Sequence, residues 1–113
     1  MSQAMPQSHY DCPCMEKCPL HHAMQLIGGK WKVQILCAGA NAGTIRYNAL
    51  RSKLDGISNT VLASALRELK RDGLVTRREY LEVPVRVEYR PTDSCRALLP
   101  ILEQLSDWAE ARM

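Results

Sequence analysis

Thiols and imidazoles lie close together near the start of the chain. The sequence holds five cysteines, and three of them, Cys12, Cys14 and Cys18, precede the neighbouring pair His21 and His22. An odd number of cysteines argues against a framework of structural disulfides. This stretch therefore predicts a reactive thiol or a set of metal ligands.

Cys18 is the candidate for thiol chemistry. It directly follows Lys17 and directly precedes Pro19, a residue that suits the first position of a helix. The positive end of a helix dipole and nearby cations favour the thiolate, which is the reactive form of cysteine. The alternative is that Cys18 is an unreactive, partly buried residue that precedes the helix.

A metal site is the second interpretation of the same stretch. Cys12, Cys14 and Cys18, together with His21 or His22, offer thiolate and imidazole ligands suited to zinc or copper(I). Their spacing, Cys-x-Cys-x3-Cys, differs from the paired Cys-x2-Cys of common zinc modules. The spacing leaves a metal-responsive protein as an alternative, and we assign no metal ligand.

A small thiol enzyme is a third interpretation, from a different functional class. Cys18 would be its nucleophile, and His21 or His22 its general base. The rest of the sequence carries neither a Cys-x2-Cys redox motif nor a glycine-rich phosphate loop. We therefore predict that the protein is not an enzyme and needs no cofactor.

The middle of the chain predicts the elements around these residues. A short helix over Arg46 to Leu54 and a tight turn at Asp55 to Ile57 lead into a second helix, for which Ser58 is a good N-cap. Asp72-Gly73 ends that helix. Apolar residues recur on one face at helical spacing: Leu62, Ala65, Leu66 and Leu69. Two helices across a glycine-containing turn predict a helix-turn-helix.

The opposite face of the second helix is polar. Short hydrogen-bonding side chains stand near its N-terminus and cations follow, which suits a helix whose first turns meet base edges in the major groove. The predicted DNA contacts on this helix are Ser58, Asn59, Thr60, Ser64 and Arg67. The alternative is an ordinary amphipathic helix whose polar face is only solvated.

A basic hairpin follows the second helix. Leu74 to Tyr80 forms its first strand, and Leu81 to Pro84 forms the turn. In the second strand, Val85, Val87 and Tyr89 alternate with Arg86, Glu88 and Arg90, the period of a half-buried strand. Such a hairpin is the wing of a winged helix, and we predict that Arg86 contacts DNA phosphates or an adjacent minor groove. The alternative is a solvated hairpin whose arginines pair with its own glutamates.

Two helices are predicted before this unit and one after it. The first runs from Pro19 to Ile27 and ends at Gly28-Gly29; the second runs from Lys30 to about Ala40, is apolar on nearly every side and should be buried. Cys37 within it is predicted to be a core residue. A short strand is predicted at Thr44 to Arg46.

The last helix is predicted from about Ser94 to Arg112, with Asp93 as its N-cap and a bend or a delayed start at Pro100. Its apolar stripe is wide: Leu98, Ile101, Leu102, Leu105 and Trp108. The stripe either packs on the core of the same chain or, together with the first helix, builds a two-fold interface. We predict the interface, because the helix is terminal and rich in apolar residues and the first helix is amphipathic. Two recognition helices about 34 Å apart, one turn of DNA, could then read a pseudo-palindrome.

The sequence also resembles the HxlR-type family of winged-helix transcriptional regulators, which are MarR-like, over roughly residues 18–108. Short motifs in a specific order carry the resemblance: Cys18-Pro19, Ile27-Gly28-Gly29-Lys30-Trp31, Arg46-Tyr47-Asn48-Ala49-Leu50, Ile57-Ser58, Leu66-Arg67-Glu68-Leu69, Asp72-Gly73-Leu74-Val75 and Val83-Pro84-Val85-Arg86-Val87-Glu88-Tyr89. The sequence departs from the family's usual residues at Ala49, Pro91 and Cys95.

The resemblance implies a cytoplasmic bacterial or archaeal homodimer that binds operator DNA and often represses transcription. Several HxlR-type regulators carry a sensing cysteine at the position of Cys18. By that resemblance, Cys18 is the redox-sensing residue, modified by an oxidant or electrophile or paired with another cysteine across the dimer. Either change would move the recognition helices and alter the affinity for DNA.

Length and charge are compatible with this interpretation. The chain has 113 residues and a formal net charge of +3, which suits one small, mildly basic domain. It has no apolar run of membrane-spanning length and no signal-peptide pattern, so we expect a cytoplasmic protein. We predict a flexible arm over 1–17 and, over 18–113, an α+β winged helix-turn-helix with a β-hairpin wing and flanking N- and C-terminal dimerisation helices. Its predicted partners are double-stranded operator DNA and a second copy of the chain.

Overall fold

The computed structural model of the protein describes residues 18–113, except for the side chains of Asn41 and Ala42. The predicted arm over residues 1–17, which includes Cys12 and Cys14, lies outside the described residues. The described helices are α1 (Pro19–Ile27), α2 (Lys32–Ala42), α3 (Tyr47–Lys53), α4 (Asn59–Arg71) and α5 (Asp93–Glu110). The described strands are β1 (Ile45–Arg46), β2 (Val75–Tyr80) and β3 (Arg86–Pro91).

Helices α3 and α4 form the predicted helix-turn-helix. Gly56 in the turn between them has φ +85°, a left-handed conformation that glycine adopts without steric cost. The Ser58 hydroxyl then accepts a hydrogen bond from the Val61 backbone N–H at 3.2 Å, as an N-cap does. Gly73, with φ +80°, ends the unit after α4.

The apolar face predicted for α4 is buried. Leu62, Leu66 and Leu69 are at most 1% exposed, and Ala65 is 9% exposed. They belong to one core cluster that also takes side chains from α2, α3, the sheet and α5. This shared core fixes the orientation of α4, so that its polar face remains outside.

The three strands form an antiparallel sheet in the order β1-β3-β2. The short strand predicted beside the hairpin is present as β1, where Ile45 pairs with Tyr89. Ile45, Val75 and Tyr89 are buried on the face that packs against the helices. The sheet is therefore a wing whose inner face belongs to the core and whose outer face carries polar side chains.

The flanking helices follow the prediction with some corrections. Helix α1 has the predicted bounds, whereas α2 begins two residues later than expected, at Lys32. The N-cap of α5 is Thr92, not Asp93, because the Thr92 hydroxyl accepts a hydrogen bond from the Cys95 N–H at 3.2 Å. Pro100 lies inside α5 and does not delay its start.

The prediction that α2 is buried is confirmed for only one face of the helix. Ile35 and Leu36 are at most 2% exposed, as expected for a core helix. The prediction for Cys37 was wrong, since Cys37 is exposed on the opposite side of the helix. The cause is that α2 packs on the core with one face and lines an open groove with the other. No helix in residues 18–113 is long and apolar enough to cross a membrane.

Candidate nucleic-acid interface

The first candidate surface is the outer face of α4. Thr60 and Arg67 are exposed and Ser64 is half-buried, so these three predicted contact residues share an accessible face of one helix. Ser58 and Asn59 are exposed at its start. The five residues thus lie together in the first three turns, the part of a recognition helix that meets base edges.

Two interactions hold α4 at its start. The Ser58 cap, described above, uses the lone pairs of the hydroxyl and leaves its hydrogen for another acceptor. Asn59 accepts from Tyr47, the first residue of α3: the Tyr47 hydroxyl lies 3.2 Å from the Asn59 backbone oxygen and 3.3 Å from its side-chain Oδ1. Tyr47 was not among the predicted site residues.

Ion pairs hold the later part of α4. Lys32 of α2 lies 2.7 Å from Glu68, and this hydrogen bond, with the charge of Lys32, lowers the pKa of the Glu68 carboxyl. A hydrogen bond from Arg71 likewise lowers the pKa of Asp72, just after the helix. Glu68 and Asp72 are thus paired with cations of the protein. The exposed Arg67 takes part in no ion pair within residues 18–113.

Val61 is a further candidate on α4. It is 43% exposed beside the polar residues, although most apolar residues of this helix are buried. An apolar side chain in the major groove can contact a thymine methyl group. The sequence analysis passed over Val61 because a single apolar residue off the buried face carries no periodic signal.

The second candidate surface is the outer face of the wing. Glu88 at the centre of β3 lies opposite Arg46 of β1 and opposite Arg78 of β2, and Arg86 and Arg90 are its neighbours two residues away on β3. Directly opposed residues and residues two apart on a strand share one face of a sheet. Four arginines therefore surround one glutamate.

The surroundings of Glu88 correct the simple alternation that was predicted for β3. Glu88 was placed among the solvent-facing residues, but it is only 8% exposed. Arg86 and Arg90 lie 3.4 and 3.8 Å from its carboxylate. Long arginine side chains can cover a neighbouring group with their methylene stems, and here they cover a carboxylate that pairs with them.

Arg86, the predicted wing contact, is part of this cluster. Its guanidinium lies 3.0 Å from Glu82, 3.4 Å from Glu88 and 4.0 Å from the centre of the Tyr80 ring. The Arg86 Nε is buried with no hydrogen-bond partner in the described part of the chain. Intramolecular contacts thus already hold most of this side chain, whereas Arg78 and Arg90 are more exposed on the same face.

A cleft connects the wing to the helix-turn-helix. Arg46, Tyr47 and Asn48 line one wall of it, and Glu82 and Arg86 contribute to the other. Its volume is about 570 Å³. The Tyr47 ring is therefore placed between α4 and the wing, next to both candidate surfaces.

The flanking helices leave much apolar surface exposed. The predicted stripe of α5 buries Leu102 at 8% exposure, but Leu105 and Trp108 are 56% and 57% exposed. The same is true of Leu20 and Met24 on α1, at 49% and 53%. An apolar groove of about 880 Å³ runs between α1, α2 and α5, and Cys37 is one of its lining residues.

The cysteines of the described chain lie in three different environments. Cys18 is 3% exposed and directly precedes α1, where its backbone oxygen accepts from the His22 N–H at 3.1 Å. Cys95 is fully buried, and burial raises the pKa of its thiol. Within residues 18–113, no three side chains of His, Cys, Asp or Glu are grouped to hold a metal ion. Two of the proposed ligands, Cys12 and Cys14, lie outside that range.

A helix-turn-helix followed by an antiparallel hairpin defines the winged-helix fold. A family model described as HxlR-like helix-turn-helix matches residues 26–113. The chain belongs to this family of transcriptional regulators, as its sequence motifs predicted, and the family consists of DNA-binding proteins rather than enzymes.

Relatives of similar sequence are named as regulators as well. The chain is 46% identical over 90 residues to an HTH-type transcriptional regulator of Halalkalibacterium halodurans, a match that covers 80% of each protein. It is 40% identical over 94 residues to the putative regulatory protein MalR of Fusobacterium mortiferum, covering 83% of this chain and 89% of MalR.

Solved structures with the same fold include a redox regulator and a second transcriptional regulator. The oxidized form of the redox regulator HypR is similar with a TM-score of 0.76 and 38% identity, over 83% of this chain and 96% of that one. The reduced form of the transcriptional regulator YodB from B. subtilis has a TM-score of 0.72 and 30% identity, over 82% of this chain and 91% of that one.

Proposed function

We propose that this protein is a homodimeric repressor that reads a pseudo-palindromic operator and responds to oxidants or electrophiles through Cys18. The DNA-binding part of this proposal rests on one observation: the apolar face of α4 is buried, and its polar face is exposed at the start of the helix. The proposed contacts are Ser58, Asn59, Thr60, Ser64 and Arg67 on α4, and Arg86 in the wing.

The contacts divide by chemistry. Thr60 and Ser64 are short, so they reach base edges only where the helix lies deep in the groove. Arg67, outside every ion pair of residues 18–113, neutralises a phosphate. Arg86 reaches a phosphate only by exchanging one of its glutamate partners, so its contribution should be smaller than that of Arg67.

The exposed apolar surface of α1 and α5 supports the proposed dimer. Leu105 and Trp108 on α5 and Met24 on α1 are each more than half exposed, and they lie along or beside an apolar groove. A contiguous apolar surface on a small domain marks an interaction site. In a two-fold dimer, each chain would cover the groove of the other and present its α4 to one half-site.

The sensing part of the proposal depends on the position of Cys18. Cys18 is buried at the beginning of α1, a helix of the proposed interface, so a group attached to its sulfur would displace that helix. HypR is a redox regulator for which oxidized and reduced structures are both known. Diamide would oxidise the Cys18 thiol and a second thiol to a disulfide, and the two electrons and two protons would reduce the diamide.

The test is binding to the DNA upstream of the protein's own gene, at fixed salt, before and after treatment with diamide. We expect tight binding by the reduced protein, and an affinity that changes on oxidation in the wild type but not in Cys18→Ser. The matched control is Cys95→Ser, which removes a thiol that is fully buried in the core and should respond as the wild type does. A response that survives in Cys18→Ser and is lost in Cys37→Ser would assign the sensing to Cys37.

A metal-responsive regulator is the second candidate. It is favoured only by the thiols and imidazoles near the start of the chain, where Cys18 is the one cysteine that the structure describes. Stoichiometric zinc or copper in protein purified without added metal would support this candidate. Failure to bind either metal after anaerobic reconstitution would remove it.

A further inference from the structure

The hydrogen bonds between Tyr47 and Asn59 join the first residues of the two helices of the helix-turn-helix. The Tyr47 hydroxyl lies 3.2 Å from the Asn59 backbone oxygen and 3.3 Å from Asn59 Oδ1. A phenol has one hydrogen, which it shares here between two acceptors that belong to the same residue. The tyrosine therefore fixes the side chain of Asn59 relative to its backbone.

The Tyr47 ring is well placed to act as a rigid support. It is partly buried and packs against the hydrophobic core, while its hydroxyl reaches the surface beside α4. A side chain that is immobilised by packing loses little further entropy when its polar end makes a hydrogen bond. Asn59, in contrast, is exposed and would sample several rotamers without this contact.

The orientation of the amide has a chemical consequence. An asparagine side chain carries its acceptor oxygen and its NH₂ group on opposite sides of one planar amide. When the oxygen faces Tyr47, the two N–H donors face away from α3. Among residues 18–113 the Asn59 amide nitrogen makes no hydrogen bond, so its donors are available to a ligand.

We propose that Tyr47 is a positioning residue that presents the Asn59 NH₂ group as a hydrogen-bond donor to the operator. This inference rests on the proposed function and extends it to the chemistry of one contact. The group recognised is an acceptor, either a base-edge atom in the major groove or a phosphate oxygen. The two-bond contact that asparagine makes with adenine uses the amide oxygen as well as the NH₂ group. Tyr47 takes one of the two lone pairs of that oxygen, and both hydrogens of the NH₂ group remain for the operator.

The experiment uses a duplex with the sequence that the wild-type protein selects from random DNA, and measures the dissociation constant at fixed salt. Tyr47→Phe removes only the hydroxyl, and Asn59→Ala removes the amide. Asn59→Asp retains an oxygen that accepts from Tyr47 but has no NH₂ group. Ser52→Ala is the matched control, since it also removes one hydroxyl from α3, where Ser52 donates to the Asn48 backbone oxygen.

We expect Tyr47→Phe to weaken specific binding about 3- to 10-fold, the effect of one lost hydrogen bond. Asn59→Ala and Asn59→Asp should weaken it at least as much, and Ser52→Ala should not change it. In the Asn59→Ala background, Tyr47→Phe should have no further effect, because the amide that it orients is gone. Thermal unfolding of Tyr47→Phe should show an intact fold whose melting temperature is lowered by at most about 4–8 °C, because the exposed hydrogen bonds to Asn59 are lost.

Two results would overturn the inference while leaving the regulator intact. One is a loss of affinity from Tyr47→Phe that is equal in the wild-type and Asn59→Ala backgrounds, which indicates a structural role. The other is an Asn59→Asp variant that binds as tightly as the wild type. If the wild-type protein itself selects no sequence from random DNA, the proposed function fails, and this inference fails with it.

A second selection with Asn59→Ala distinguishes the two acceptors. A base contact is expected to relax the preference at one position in each half-site. A phosphate contact is expected to weaken binding to all sequences and to leave the preferences unchanged. Both results support the donor role of Asn59 and identify what it contacts.

Discussion

Helices α4 and α5 carry apolar residues at the same helical spacing, but they differ in what covers them. The apolar residues of α4 are almost fully buried within the chain, whereas Ile101, Leu105 and Trp108 on α5 are 56–59% exposed. Periodicity thus predicts that a helix has an apolar face, and it does not say whether the same chain or another covers that face. In this protein the apolar face of α4 is buried in the core of the chain, and much of the apolar face of α5 is exposed.

The largest expected effect comes from a substitution on the buried face of α4. Leu66→Ala, at a position that is 1% exposed, should lower the free energy of unfolding by about 2–5 kcal/mol, because it removes buried methyl groups and leaves a cavity. Urea denaturation followed by circular dichroism measures the loss. The matched variant is Leu105→Ala at a position 56% exposed, which should change this free energy by about 0.5 kcal/mol or less in dilute protein. Equal losses in the two variants would contradict the comparison.

The next largest effect is on self-association through the exposed apolar face of α5. Leu105→Asp should give folded monomers, because it places a charge within the proposed apolar interface. Sedimentation velocity measures the association, and circular dichroism reports the fold. Val83→Asp is the control, since Val83 is also exposed and apolar but lies at the tip of the wing. A Leu105→Asp protein that remains dimeric would place the interface elsewhere.

A smaller effect separates the two arginines proposed to contact DNA. Arg67→Ala should weaken binding to all sequences and reduce the slope of log K against log salt by about one unit, as expected for one lost phosphate contact. Arg86→Ala should also weaken binding across sequences, with a change in slope of at most that size, because Glu82 and Glu88 already neutralise this side chain. Slopes unchanged from the wild type in both variants would remove the two phosphate contacts.

The smallest effect is the pH dependence of the ion pair between α2 and α4. Lys32 lowers the pKa of Glu68 in the folded protein, so the pair stabilises the fold above the unfolded pKa of about 4.3. Its contribution is lost as the pH falls through the folded pKa. We therefore expect the melting temperature of Glu68→Gln to lie below that of the wild type at pH 7 and to converge with it under acidic conditions. Glu79→Gln, an exposed carboxylate of the wing, serves as control. A difference that persists unchanged to low pH would contradict this account.

The sequence predicted the elements well where a short-range rule determines them. Ser58 and Gly73 mark the ends of α4, because capping depends on residues a few positions apart. The alternation in β3 indicated the apolar face correctly at Val87 and Tyr89, but Val85 is 55% exposed and Glu88 only 8%. The exact N-cap of α5 was missed, because Thr92 and Asp93 are neighbours with similar capping ability.

The sequence predicted much less about contacts between distant residues. The burial of Glu88 depends on the register that brings Arg46 and Arg78 to its sides, and register is a property of strand pairing. The contact between Tyr47 and Asn59 depends on the angle between two helices, which the shared core sets. The exposure of Cys37 depends on which side of α2 the neighbouring helices occupy. None of these three follows from local periodicity.

The measurement that tests the central claim most directly is selection of bound sequences from a pool of random duplex DNA, followed by a footprint on the selected site. A dimer that reads DNA with α4 should select a pseudo-palindrome and protect two half-sites about one helical turn apart, roughly 34 Å. The Arg67→Ala variant should bind that site more weakly at the same salt. Failure of the wild type to enrich any sequence, or protection of a single asymmetric site, would contradict the account.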